Sequence, residues 1–185
     1  MIRGKTVLGV IPARGGSKRV PMKNVTLYRG KSLLHWAMEH ARDCKYLDRF
    51  VVSSDDDNIL QHAGEVALLR PDHLATDRAS TECVLVHALY SLPGPLYDFA
   101  VILQPTSPLR LPKDIDRCIE IAEEHDGNTG LHGCVSYNEY GKRNGAVYVV
   151  NVRHFLATLS LDAANHYQMP NERSLDVDFP WDFSK

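Results

Sequence analysis

Long apolar runs are missing from this chain. No stretch approaches the roughly 20 residues that a membrane-spanning helix needs. Residues 1–6 enter a strand without the apolar region of a secretion signal, which predicts a cytoplasmic protein with no membrane partner. Cysteine is sparse. Cys44, Cys83, Cys118 and Cys134 are scattered, with no Cys-x-x-Cys pair and no close His partner, so reduced core thiols are expected. Charge of one sign is also missing: the formal net charge is -2, which argues against a general nucleic-acid binder. The nine histidines show no ligand spacing. No repeat, low-complexity segment or linker breaks the chain.

Two common nucleotide motifs are absent as well. Gly30-Lys31-Ser32 imitates the end of a P-loop, but Val25 stands where its first glycine belongs, and no apolar strand precedes it. Ser32 reads better as a helix N-cap. The first loop does not match Gly-x-Gly-x-x-Gly either, which disfavours the usual dinucleotide fold.

What is present is a 185-residue chain, 44% hydrophobic and 24% charged, the size and balance of one globular domain. Its patterns alternate. Strands are expected over residues 6–12, 50–54, 66–69, 99–103, 133–136 and 146–150. Helices are expected over 32–42, 57–63, 80–92, 113–124 and 153–159, with 174–177 extended. Such alternation implies an α/β fold of three layers, α/β/α, around a mainly parallel sheet. Ligands of these sheets bind beyond the carboxyl ends of the strands, where loops 13–24, 53–57 and 104–110 fall.

The first of these loops is the most informative. Arg14, Lys18, Arg19 and Lys23 crowd around Gly15, Gly16 and Ser17. Like charges at this density call for an anion among them, and adjacent glycines can turn backbone N–H groups inward. A polyphosphate site is the sharp reading; a solvated basic loop is the bland one. Near the other end, Asp176 and Asp178 alternate across Val177. On extended backbone both carboxylates share one face while Val177 enters the core. Beside a triphosphate loop they suit Mg²⁺; alone they read as a solvated pair. Asp182 either joins them or caps the chain end. The run Asp55-Asp56-Asp57 is explained by helix capping, with a metal role as the alternative. Asp77 is read as stabilising a turn. Gln104, at the end of a buried strand, either reaches a substrate or makes a core-edge hydrogen bond.

The sequence from Pro12-Ala13-Arg14-Gly15-Gly16-Ser17-Lys18 to Pro21-Met22-Lys23-Asn24 resembles the signature of the acylneuraminate cytidylyltransferases. Further blocks agree in order: residues 53–59, 69–77, 103–110, 143–148 and 174–178. The resemblance covers nearly the whole chain, as one domain over 1–185 with the nucleotide-diphospho-sugar transferase version of a Rossmann-like fold. It implies transfer of CMP from CTP to a nonulosonic acid with release of pyrophosphate. Arg14, Lys23 and Asp178 are then catalytic. Ala13, Arg14, Gly15, Gly16, Ser17, Lys18, Lys23, Asn24, Arg70, Ala79 and Thr81 hold the nucleotide. Gln104 and Asn144 meet the sugar, and Asp176 and Asp178 hold Mg²⁺.

Two departures stand out. Arg19 replaces a glycine common in that family; it is read either as an exposed side chain or as a ligand contact. The family has a long segment for dimerisation and sugar binding where only residues 137–143 stand here, so the homodimer of the family is left open. Lys142 and Arg143 are offered as substitutes for its lost cations. The alternatives are a cytidylyltransferase for the eight-carbon sugar Kdo and a CTP-binding domain without transfer activity.

Overall fold

The computed structural model describes residues 1–127 and 132–185. Its elements run β1 (Val7–Pro12), β2 (Leu27–Tyr28), β3 (Lys31–Ser32), α1 (Leu33–Arg42), β4 (Arg49–Ser54), α2 (Asp57–Ala63), β5 (Ala67–Leu69) and α3 (Thr81–Ser91). They continue with β6 (Phe99–Ile102), α4 (Pro112–Glu124), β7 (Cys134–Tyr137), β8 (Arg143–Asn151), α5 (Val152–Thr158) and β9 (Asn165–Gln168). The larger sheet has seven strands in the order β5-β4-β1-β6-β8-β7-β9. β5, β4, β1 and β6 are parallel neighbours, β8 runs antiparallel to β6 and β7, and β9 is parallel to β7.

β1 is apolar along its whole length because both faces of the sheet are covered. Val7 and Ile11 point into a core shared with Leu34, Ala37 and Ala41 of α1, Ile59 of α2, and Ile115, Cys118, Ile119 and Ala122 of α4. Leu8 and Val10 point the other way, onto Leu85, Ala88 and Leu89 of α3 and Phe155 of α5. The alternation of one strand therefore generates the three layers. Short polar side chains start the helices: Ser32 accepts from the His35 N–H, Asp56 from Ile59, Ser80 from Cys83 and Asn151 from His154.

After β1 the chain builds outward through β4 and β5, then returns to the opposite side of β1 with β6. That reversal opens a crevice at the carboxyl ends of β1 and β6. Two sequence expectations change. Residues 174–177 form no ladder; Val177 is buried and donates its N–H to the Thr106 carbonyl at 2.8 Å. Strand β9 is also present, although its half-exposed residues carry no clear alternation of apolar side chains.

Candidate active site

The crevice holds a cavity of about 290 Å³. Pro12 lines it from the end of β1, Arg14, Ser17, Lys23 and Asn24 from the segment that follows, Arg70 from just past β5, and Gln104 and Thr106 from the loop after β6. Ala79, Thr81 and Val84 close it from the start of α3. Residues far apart in sequence are thus brought together by the ends of parallel strands.

The four loop cations share two carboxylates. Asp77 pairs with Arg14 at 2.7 Å and also with Lys18. Asp178 pairs with Arg19 and with Lys23, each at 3.0 Å. The anion demanded by the crowded cations is met within the chain by one carboxylate on each flank of the loop. The Lys18 and Arg14 side chains hold the Asp77 carboxyl below its ordinary value. The role of Asp77 is therefore wider than the turn expected for it.

Lys23 also donates to the Val177 carbonyl at 3.2 Å, fastening the loop to the segment that carries Asp176 and Asp178. Asp176 keeps solvent contact. Even so, the protein atoms crowding it push its carboxyl above the ordinary value. A hydrogen bond with Thr106 and the charge of Lys23 work against that shift, while Asp178 and Asp182 add to it. Asp182 is buried and caps the turn: one of its oxygens accepts from the N–H groups of Asp178 and Phe179 at 3.0 and 2.9 Å. It is a structural cap, with its other oxygen on Lys185.

The glycines act differently from expectation. Neither Gly15 nor Gly16 adopts a positive φ; Met22, at φ 53, takes the left-handed conformation in this loop. Gly15 is needed for close approach, since a Cβ there would lie 2.6 Å from Asp56 Oδ2. Its N–H donates to Asp55 Oδ1 at 3.1 Å, so it is not turned toward the cavity. Asp55 and Asp56 thereby brace the loop, and the helix-capping account of this acidic run holds.

Two further residues assigned to the site have side chains committed within the protein. Asn144 is buried. It accepts from Ser136 Oγ at 2.7 Å and donates to Ser174 Oγ at 3.0 Å, leaving its amide bound within the protein. The Ala13 methyl lies in the core and its N–H bonds to Ser53, so no side chain of Ala13 faces a nucleotide. Asn24 lines the cavity, but its amide nitrogen donates to the Arg14 carbonyl at 2.9 Å and so shapes the loop. Arg143 pairs with Asp162 at 2.6 Å. Residues 138–142 close a tight turn between β7 and β8, where Asn138 N–H donates to the Lys142 carbonyl at 2.8 Å.

Arg70 is buried and bound to Ser53 through Nε at 3.1 Å. Burial lowers its pKa and Arg14 adds to the effect, with Asp55 opposing. Gln104 Oε1 lies 3.0 Å from where a Cβ of Gly145 would sit, and Asp176 Oδ2 lies 3.8 Å from the same point. Gly145, at φ +73, thus leaves open the space between Gln104 and Asp176. Nothing in the sequence pattern singled out Gly145 or Asp77 for these parts; both depend on contacts distant along the chain.

Among the described residues no group of three or more His, Cys, Asp and Glu side chains could hold a metal ion. A divalent cation at Asp176 and Asp178 would draw its other ligands from substrate oxygens and water. Two hard carboxylates, one of them, Asp176, bordering the opening at Gly145, are donors of the kind Mg²⁺ takes in that way.

The reversal of the sheet, with a loop of paired cations beyond the first strand, defines an α/β protein whose cleft lies at the carboxyl ends of its parallel strands. The family model described as "Cytidylyltransferase" matches residues 8–168, and the chain belongs to that family. It is 28% identical over 212 residues to the N-acylneuraminate cytidylyltransferase of Escherichia coli, covering 96% of this chain and 50% of that protein. It is 39% identical over 114 residues to a pseudaminic acid cytidylyltransferase of Campylobacter jejuni, covering 58% of this chain and 49% of the other. The chain therefore spans about half the length of these relatives. A solved CMP:2-keto-3-deoxy-manno-octonic acid synthetase complexed with CTP shares the fold, with a TM-score of 0.73, 16% identity and coverage of 95% and 94%.

Proposed function

We propose that this chain transfers the cytidylyl group of CTP to the anomeric hydroxyl of a nonulosonic acid, releasing pyrophosphate, and supplies activated sugar for a surface glycan. The observation that carries the reading is the pairing of Asp77 and Asp178 with the four loop cations. Cations that take up two carboxylates in the free chain support a reading in which they receive a nucleotide's phosphates, and the family supports CTP as that nucleotide.

Arg14 offers a planar fork to phosphate oxygens, while Lys18 and Lys23 act as point charges. On binding, the phosphates displace Asp77 and Asp178 from these side chains. The displaced Asp178 stands beside Asp176 as an oxygen donor. Mg²⁺ held there would neutralise charge on the α-phosphate and the departing pyrophosphate. Arg70, Ala79 and Thr81 form the wall against which the base packs. Gln104, across the opening left by Gly145, orients the acceptor.

Incubation with CTP, Mg²⁺ and a panel of nonulosonic acids, with pyrophosphate release as readout, tests the proposal. CTP binding without release for any acid would overturn it in favour of a binding domain. Release only with the eight-carbon acid Kdo would favour the second reading, which rests on the fold shared with the octonic acid synthetase.

A further inference from the structure

Arg19 ends a three-layer stack. Its guanidinium lies 5.0 Å from the centroid of the Phe179 ring, and that ring stacks on Trp181 at 4.7 Å with 5° between the planes. Both aromatics are exposed, Trp181 at 61%, although neither belongs to a core cluster that would place it there. The Asp182 cap on the N–H groups of Asp178 and Phe179 fixes the turn that projects them. Ser184 Oγ adds a bond to the Trp181 carbonyl at 2.8 Å.

An arginine on an aromatic face has its plane set in advance, and its fork keeps donors free for a planar or tetrahedral oxyanion. Here one arm of the fork already holds a carboxylate, Asp178 Oδ2 at 3.0 Å. We propose that Arg19, oriented by Phe179 and Trp181, is an oxyanion subsite beside Asp178, outside the cavity that holds the base. The inference rests on the reading of the cleft as a CTP site. Two parts of the reaction carry such an oxyanion: the terminal phosphates of the donor and the carboxylate of the acceptor acid. Phe179 and Trp181 act as positioning residues through Arg19.

Steady-state kinetics of Arg19→Ala, Arg19→Lys and Phe179→Leu test this with the full chain. Arg19→Ala is expected to raise one KM about tenfold, the loss of a charge-assisted contact, while kcat stays within about twofold. A raised KM for CTP with weaker inhibition by pyrophosphate identifies the phosphates; a raised KM for the acid identifies its carboxylate. Phe179→Leu should raise the same KM by about threefold, and Arg19→Lys should not restore it, because an ammonium has no plane to orient. Unchanged KM values in Arg19→Ala, or full rescue by Arg19→Lys, overturn the subsite.

A second readout needs no turnover. Titration with inorganic pyrophosphate or with N-acetylneuraminic acid should change the part of the tryptophan emission that Trp181→Phe removes, and Arg19→Ala should abolish that change. If the wild type turns over no acid, the proposed function fails. The emission change still decides the subsite, and its absence with both anions overturns it.

Discussion

Lys23 Nζ stands 3.0 Å from Asp178 Oδ1, joining the loop after the first strand to a carboxylate 155 residues away. The pair sets the candidate catalytic cation against the candidate metal ligand before any substrate enters. Lys23→Ala is expected to lower kcat by about a hundredfold, the scale of losing a charge placed at the reacting phosphate. Asp178→Asn should abolish Mg²⁺-dependent turnover while circular dichroism shows an intact fold. Turnover retained in Asp178→Asn, with an unchanged Mg²⁺ dependence, would refute the metal assignment.

Asp77 competes with phosphate for Arg14 and Lys18. Asp77→Asn removes a negative charge that a triphosphate must displace, so calorimetry should show CTP binding about two- to fivefold tighter, with little change in melting temperature. Both sets of contacts are screened by salt, and the gain should shrink as ionic strength rises. Weaker binding in Asp77→Asn would mean that this carboxylate organises the loop for its ligand.

Gly15→Ala should damage the loop although no positive φ is involved. The added methyl would meet Asp56, whose carboxylate is committed to the Ile59 N–H at 3.0 Å. Either the loop moves or the α2 cap is lost, at a cost of about 1–3 kcal/mol. Chemical denaturation measures that cost. The companion Gly16→Ala, whose Cβ would meet nothing within 4 Å, should leave stability close to wild type.

Asp176 predicts a trade between stability and activity. Crowding raises its carboxyl above 3.8, with Asp178 adding to the effect. Between that ordinary value and the raised one, the folded chain keeps a proton that the unfolded chain has released, so stability falls as pH rises across the window. Asp176→Asn should therefore melt at or above the wild-type temperature in metal-free buffer near neutral pH, yet lose turnover. A lower melting temperature there would show that the charge is needed for the fold.

Much of this was legible in the sequence. The apolar run 7–11 identified a buried strand and the cations at 14, 18, 19 and 23 a crowded basic loop after it, and the structure places that loop at the sheet's reversal. Loop residues separated by dozens of positions still met in one cavity, because parallel strands deliver their ends to the same edge. What the sequence hid were contacts set by packing. Asp77 looked like a turn residue because its partners lie on another loop. Asn144 looked available because an asparagine in a motif does not reveal how many internal bonds its amide already makes. Gly15 and Gly16 suggested inverted backbone, but the need at Gly15 is for space beside Asp56. Strand β9 escaped notice because an edge strand needs neither an apolar face nor a strong alternation.

The bond from Val177 N–H to the Thr106 carbonyl, with Lys23 clasping the same segment, also sets an order of events during synthesis. The parallel neighbours β1, β4, β5 and β6 are complete by residue 102, long before residue 178 is made. A nascent chain can therefore assemble its anion loop and the wall for the base while still lacking Asp176 and Asp178. On the proposed reading, competence for transfer arrives in a late step, when this stretch docks onto the strands made before it. A slow change of state in that docking would delay activity without delaying the appearance of secondary structure.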